Sequence, residues 1–455
     1  MDNKKLSIKE RKAQAKQYRK TTSRSDLGFW KVETNRTLVE ELIKSQEKTR
    51  QWGLLPLRHE RMATSPFHFF RGSAIVQAHD LAITPRTDFI VQACGDAHIS
   101  NFGMFASPER RIVFDINDFD ETLPAPFEVD IKRLVASIEI CGRYRGFEAS
   151  RREACVRDAA SLYQHAMHDF SDMGNMEVWY KHLDIENALE NDPHLSEKVQ
   201  AKYIRNAMEK ALNKNSDRAI MKLTETVDGK LRIKSDPPVI VPIRDMLSEE
   251  KELYNFNYNI RKALDLYKES LPIDRHRLID QYEPLELAHK VVGVGSVGQR
   301  AWILVMMGRE NGDPLVLQIK QAERSVLENY YGKSAYSKCG RRVVEGQHAI
   351  QTASDILLGY LRLPDLPEGV NDYYVRQLWD SKGSFDIERM SDDGLQGLSC
   401  ACAWTLAHAH AKTGDRHAIA AYLGKSDTFT EAMVSYAKAY ADQNEADYET
   451  FLKMI

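Results

Sequence analysis

Apolar and polar positions follow two different periods along this chain. From Phe29 to Trp52, Leu38, Leu42 and Ile43 recur at helical spacing and predict a helix packed on something larger. Phe127 to Arg143 repeats that period through Leu134, Ala136 and Ile138, with Asp130 near its start, where a carboxylate favours the helix dipole. Residues 150–215 and 245–280 are rich in charge but keep apolar residues at i, i+3 and i+4, so they read as mostly helical. Arg341–Leu361 and Leu395–Tyr448 complete the helical set, the first through Val344, Ala349, Ile350, Ala353, Ile356 and Leu357. Strand-like runs lie between these segments: the aromatic stretch Arg61–Gly72, Thr87–Ala93, Arg111–Phe114, Gln299–Met307, Pro314–Lys320 and Asp372–Leu378. The last suits an edge strand leading to a hinge. Thr224–Val241 reads as a hairpin turning at Asp228-Gly229. The pattern predicts an α+β protein.

Composition narrows the class only a little. The 455 residues are enough for two or three lobes, and a net charge of -3 makes no global case for nucleic-acid or membrane binding. No apolar run approaches membrane-spanning length, and the polar, basic start lacks a signal-peptide core, so a cytoplasmic location is expected. The six cysteines show no metal-ligand spacing and read as reduced, buried thiols. Residues 1–25 are dense in Lys and Arg and suggest a solvated or partly disordered arm, with an anion-binding arm as the alternative. The expected division is a basic arm and helix over 1–60, a helical catalytic lobe over 61–285, a β-rich nucleotide lobe over 286–385, and closing helices over 386–455.

Candidate chemistry concentrates in two places. The first is Cys94-Gly-Asp-Ala-His-Ile-Ser-Asn101 with the acidic run Phe114-Asp-Ile-Asn-Asp-Phe-Asp-Glu121. A turn at Ser107-Pro108-Glu109 between them makes the whole a loop followed by a hairpin, which brings Asp96, Asn101 and one of Asp115, Asp118 and Asp120 into one cleft. Two carboxylates and an amide oxygen suit Mg²⁺, a hard cation that takes few protein ligands. Asp96 is then placed to orient or deprotonate a hydroxyl. The second is Gly293-Val-Gly295-Ser296-Val-Gly298. A dinucleotide-binding turn of this kind opens a helix, but here an apolar strand follows, then the turn Asn311-Gly312-Asp313-Pro314, then a strand ending at Lys320. Strand, glycine loop, strand, turn and strand with a terminal lysine is the nucleotide-covering hairpin of kinases. Glu345, with Glu328 as competitor, is expected to pair with Lys320. Arg71 before Gly72 is a weaker candidate for a phosphate contact. His408 and His410, two residues apart, fall on different helix faces, which favours a packed or hydrogen-bonded histidine over a metal pair.

Gly95, Asp96, His98 and Asn101 resemble the catalytic loop of aminoglycoside phosphotransferases and choline kinases, roughly Gly-Asp-x-His-x-x-Asn. Those families continue to a metal-binding Asp and, twelve residues on, to a second Asp opening a helix; Asp118 and Asp130 stand in that relation (130 − 118 = 12). The gap from Asn101 fits Asp115 slightly better. The resemblance implies Asp96 as catalytic base within a motif that includes His98, Asn101 and Asp118 as Mg²⁺ ligands, and Lys320 on the phosphates. In those kinases the glycine loop precedes the catalytic loop, whereas here it follows. A two-lobed, kinase-like fold in circularly permuted order is therefore expected, cut before the strand that feeds the catalytic loop. Cys94 stands where the phosphotransferases usually have His. At whole-chain scale, from about residue 20 to the end, the sequence resembles the bacterial family called domain of unknown function 2252. Arg61-Met62, Phe67-His-Phe-Phe-Arg-Gly72, Gly95-Asp-Ala-His98, Phe114–Thr122, Gly293–Gly298 and Ala407-His-Ala-His410 carry that resemblance.

The expected activity is ATP- and Mg²⁺-dependent phosphoryl transfer to an unknown hydroxyl-bearing acceptor, a small molecule or a protein. Its pocket is expected among the helices of the middle region. Rival readings are adenylyl transfer on the same fold, a non-catalytic nucleotide-binding scaffold, and a metal-dependent hydrolase.

Overall fold

The computed structural model describes residues 6–184, 209, 216–228, 230–247, 250–308, 312–365, 369–378, 383 and 385–455. Its strands are β1 (Ile90–Ala93), β2 (Phe102–Ala106), β3 (Ile112–Ile116), β4 (Leu123–Pro126), β5 (Leu183–Asp184), β6 (Thr224–Val227), β7 (Lys230–Ile233), β8 (Ile240–Pro242), β9 (Tyr282–Lys290), β10 (Ala301–Gly308), β11 (Pro314–Ala322), β12 (Gly359–Asp365) and β13 (Gly369–Gln377). Helices fill most of the remainder, and the protein is α+β.

Two constructions dominate. The first is a helical core around Glu128–Tyr144, a helix buried on nearly every face. Against it pack Ala149–Asp172, Asp392–Thr413 and Thr428–Met454, and the β1–β4 pair and the β2–β3 hairpin meet the second of these helices. The second is an antiparallel six-stranded sheet in the order β12-β13-β11-β10-β9-β8. Alternation along β10 feeds both faces: Leu304 and Met306 join a cluster with Tyr267, Leu271 and Leu361, while Ile303 and Val305 join Ala219, Leu223 and Ile233. Residues 216–285 therefore pack on the sheet and not on the helical core where the sequence division put them.

Other expectations are corrected too. Arg61–Gly72 is not a strand: it falls within the helices Leu55–Met62 and Pro66–Gly72. The Ser65 hydroxyl accepts from the His68 amide at 3.2 Å and Pro66 opens the helix, while Phe67, Phe69 and Phe70 are all buried, which hides the helical period. The helix expected over Arg341–Leu361 spans only Cys339–Ile350. Beyond it the chain is captured elsewhere: Gln351 Nε2 donates to the Ile116 carbonyl at 2.6 Å and the Thr352 amide to Asp115 Oδ2 at 2.9 Å. β13 is interior, with β12 at the edge. Among the described residues the basic arm carries the helix Ile8–Tyr18. Its Arg19 and Arg24 donate to the Ala421, Tyr422 and Leu423 carbonyls at the end of helix Arg416–Leu423, where cations satisfy orphan acceptors. All six cysteines are free thiols. Part of the expected helical segment 150–215, and Gly229 of the expected turn, lie outside the described residues.

Candidate active site

The loop after β1 is shaped from below by one buried carboxylate. Asp130, in the first turn of Glu128–Tyr144, accepts from the Cys94 amide at 2.7 Å and the Gly95 amide at 2.9 Å. His410 Nε2 lies 3.2 Å from Asp130, and its Nδ1 is 2.8 Å from the Tyr163 hydroxyl, so this histidine braces the loop's anchor. Its neighbour His408 turns to the Val178 carbonyl at 2.8 Å. Gly95 has φ +84°, and a Cβ there would collide with the Glu121 carbonyl, so only glycine fits this turn. The Asp96 carbonyl accepts from the His98 amide and from Asn101 Nδ2, both at 2.8 Å, closing the loop on itself.

Arg133, one turn beyond Asp130, then reaches the Asp96 carboxylate through Nε at 2.7 Å. It also donates to Gln77 Oε1 at 3.0 Å and to the Phe70 carbonyl at 2.7 Å. Burial pushes the Asp96 carboxyl above the ordinary range, although Arg133 opposes it. His98 Nε2 is 3.8 Å from Asp96 Oδ2, too long for a hydrogen bond. Burial, then Arg71 and Arg133, hold the His98 imidazole well below its usual range, so it is neutral.

The acidic run divides at β3. Asp115 does not join the cleft: it is buried, with Oδ1 on the Ile116 amide at 2.8 Å and Oδ2 on Thr352, and burial raises its carboxyl to about 6. Asp118 does line the cleft, and its Oδ1 accepts from the Asp120 amide at 3.1 Å. Lys320 Nζ is 3.8 Å from Asp118 and is hydrogen-bonded to Asp120, whose other oxygen accepts from the Tyr374 hydroxyl at 2.9 Å. Lys320 therefore takes neither expected partner. Glu345 pairs with Arg341 one turn earlier, and Glu328 with Arg324. The helix Cys339–Ile350 turns Arg342 inward instead, onto the carbonyls of Asp120, Thr122 and Glu323 at 2.7 Å each.

The glycine loop between β9 and β10 forms the opposite wall. Gly293, with φ +65°, Gly295 and Ser296 line the cleft; Gly298 lies behind them, packed on the Arg50 side chain. Three N-terminal arginines meet this loop, two by side chain and one by its backbone. Arg61 donates to the Gly293 carbonyl and Arg50 to the Val297 carbonyl, while a Cβ on Gly295 would lie 3.1 Å from the Arg71 carbonyl. These elements enclose one partly open cleft. Its lining joins Asp96, His98, Asn101, Asp118, Asp120 and Glu121 to the loop and to Arg50 and Arg71. Among the described residues the wall beside Asp96 comes from the N-terminal region, and none of it from the middle region.

Sequence reasoning missed Arg133, Asp120 as the lysine's partner, and Arg342. Only Arg133 left a signal, three residues after Asp130 on the same helix face.

No group of three His, Cys, Asp or Glu side chains among the described residues is arranged to hold a metal. The oxygen donors available are fewer: the Asp118 carboxylate and Asn101 Oδ1, whose amide nitrogen is already committed to the Asp96 carbonyl. Two hard donors beside open space fit Mg²⁺, which keeps most of its shell for water and phosphate.

Residues 50–454 match the family described as uncharacterized protein conserved in bacteria (DUF2252). The chain belongs to that family. No curated protein matches it, and no solved structure does. No helix of this DUF2252 chain, among the described residues, is long and apolar enough to cross a membrane.

Proposed function

We propose that this DUF2252 protein is an ATP- and Mg²⁺-dependent phosphotransferase with a hydroxyl-bearing acceptor, built on a two-lobed kinase-like fold in circularly permuted order. One observation carries the reading: Gly293–Ser296 and Asp96–Asp118, distant in sequence, face each other across one cleft, with Lys320 buried against its lining residues Asp118 and Asp120. The order of parts supports the permutation. Loop, hairpin and helix come first, the three-stranded glycine hairpin β9–β10–β11 comes later, and the helix bearing His410 closes on Asp130 last.

In this reading the glycine loop's backbone covers the phosphates. Lys320, bonded to Asp120 behind the cleft lining, would offset their charge, and Asn101 and Asp118 would hold Mg²⁺, which would supply further charge neutralisation. The acceptor oxygen bonds to the terminal phosphorus as the bond to the ADP oxygen breaks, and the acceptor proton passes to Asp96. Arg133 fixes the carboxylate that receives it, and burial raises that carboxyl's proton affinity above that of an ordinary aspartate.

The test follows γ-labelled ATP with Mg²⁺ present, water or the protein itself serving as acceptor. Asp96→Ala is expected to lower turnover by about 10²–10⁴-fold with ATP binding retained; an equally active variant would remove Asp96 from its role. The product separates the chemistries, since ADP accompanies phosphoryl transfer and pyrophosphate accompanies adenylyl transfer.

A further inference from the structure

Most guanidinium groups around the cleft are used to hold backbone or carboxylates. Arg133 serves Asp96, Gln77 and Phe70. Arg58, fully buried, donates to Glu47 and Gln46 at 2.9 Å each and to the Gly72 carbonyl at 2.8 Å. Arg342 spans three carbonyls. Arg71 differs. It lines the cleft, yet makes no hydrogen bond or ion pair among the described residues; a buried, unpartnered Nε it shares with Arg58 and Arg342, but those two spend their other nitrogens on the fold. The nearest strong anion, Asp96, is already taken by Arg133.

Arg71 is nevertheless held in place. The carbonyls on either side of it, Phe70 and Gly72, are gripped by Arg133 and Arg58, and its guanidinium lies 5.9 Å from the centre of the Phe67 ring. Behind it Arg50, 8 % exposed, also lines the cleft with an unpartnered Nε, its Nη1 spent on the Val297 carbonyl. Burying unpaired donors on two cations is costly unless a ligand completes them. A guanidinium fork matches the geometry of phosphate oxygens.

We propose that Arg71, backed by Arg50, is a preformed phosphate-binding subsite on the Asp96 side of the cleft. The proposal deepens the phosphotransferase reading and rests on it for the identity of the cleft. The phosphate has two possible bearers, the terminal group of the nucleotide or an acceptor that is itself phosphorylated. In either case Arg71 sets a negative group beside the carboxylate that receives the proton, and offsets the repulsion between the two.

The probe is inorganic phosphate. Thermal unfolding is followed with phosphate against chloride at matched ionic strength, without Mg²⁺ or nucleotide, for the wild type, Arg71→Lys and Arg71→Ala. A saturable, phosphate-specific rise in melting temperature is expected. It should weaken by about ten- to a hundredfold in apparent affinity in Arg71→Ala and by less in Arg71→Lys. Absence of a specific rise in the wild type, or an unchanged rise in both variants, would overturn the subsite. Repetition with saturating ADP·Mg²⁺ and with a non-hydrolysable triphosphate analogue identifies the bearer. A rise that survives both assigns the site to the acceptor, and one that survives ADP alone assigns it to the terminal phosphate. Loss under both places the anion among the nucleotide's other phosphates and overturns the proposal. Because this probe needs no metal, its failure is distinct from failure of Mg²⁺-dependent nucleotide binding.

Discussion

The two charged walls of the cleft are built in opposite ways. On the acidic wall the carboxylates are answered from within the protein: Asp96 by Arg133, Asp120 by Lys320 and Tyr374, Glu121 by the Val326 amide at 2.7 Å. On the basic wall Arg71 is placed as firmly but makes no hydrogen bond or ion pair with any described residue. Satisfied groups hold the fold, and a buried charged side chain whose donors stay unmet points to a ligand. The difference separates architecture from recognition, and it can be pressed by substitution.

The largest stability effect is expected at the most internal pair. Lys320, 3 % exposed, is the charge partner of Asp120, so Lys320→Met should cost about 3–5 kcal/mol by leaving a buried carboxylate uncompensated. Adding Asp120→Asn should recover a large part of that loss in denaturant unfolding. If the double variant is no more stable than the single, the pair is not what Lys320 contributes.

Glu121 sharpens the acidic wall by pH. Burial raises its carboxyl to about 7, against opposing contributions from Arg342 and the Val326 amide and reinforcement from Asp120 and Asp96. A raised folded-state value means the folded protein holds the proton more tightly. The associated stability is full below pH 4.5 and is lost as pH rises through about 7. Glu121→Gln should flatten this dependence by up to about 3 kcal/mol between pH 4.5 and 8. A curve of unchanged slope would mean another group titrates there.

The smallest effect belongs to the basic wall. Arg71→Ala should change unfolding free energy by less than about 1 kcal/mol, since no partner is orphaned. A loss comparable with that of Lys320→Met would give Arg71 a structural role and erase the contrast.

Much of this architecture is legible in the sequence where local rules act alone. The turn at 107–110, the helix opening near Asp130 and the glycine hairpin each follow from spacing, glycine and alternation. Asp96, His98, Asn101, Asp118, Gly293, Gly295 and Ser296 fall in the cleft, whereas Asp115, Gly298, Lys320 and Glu345 do not line it. The reasons are tertiary. Asp115 is captured by the Thr352 amide, Gly298 by Arg50 packing, and Glu345 by a nearer arginine on its own helix. The aromatic run at 67–70 misleads because a helix buried on several faces loses its period. Long-range partners such as Asp120 for Lys320, 200 residues apart, leave no local mark.

The most direct test is thermal unfolding with and without ATP and Mg²⁺, for the wild type, Asp118→Ala and the Lys320→Met/Asp120→Asn pair. Binding to the folded state raises the melting temperature by mass action. A metal-dependent rise in the wild type, lost in both altered proteins, is the expected result and joins Asp118 and the Lys320–Asp120 pair in one nucleotide site. No rise with any nucleotide, or one indifferent to both changes, would contradict the assignment of this cleft to a phosphotransferase.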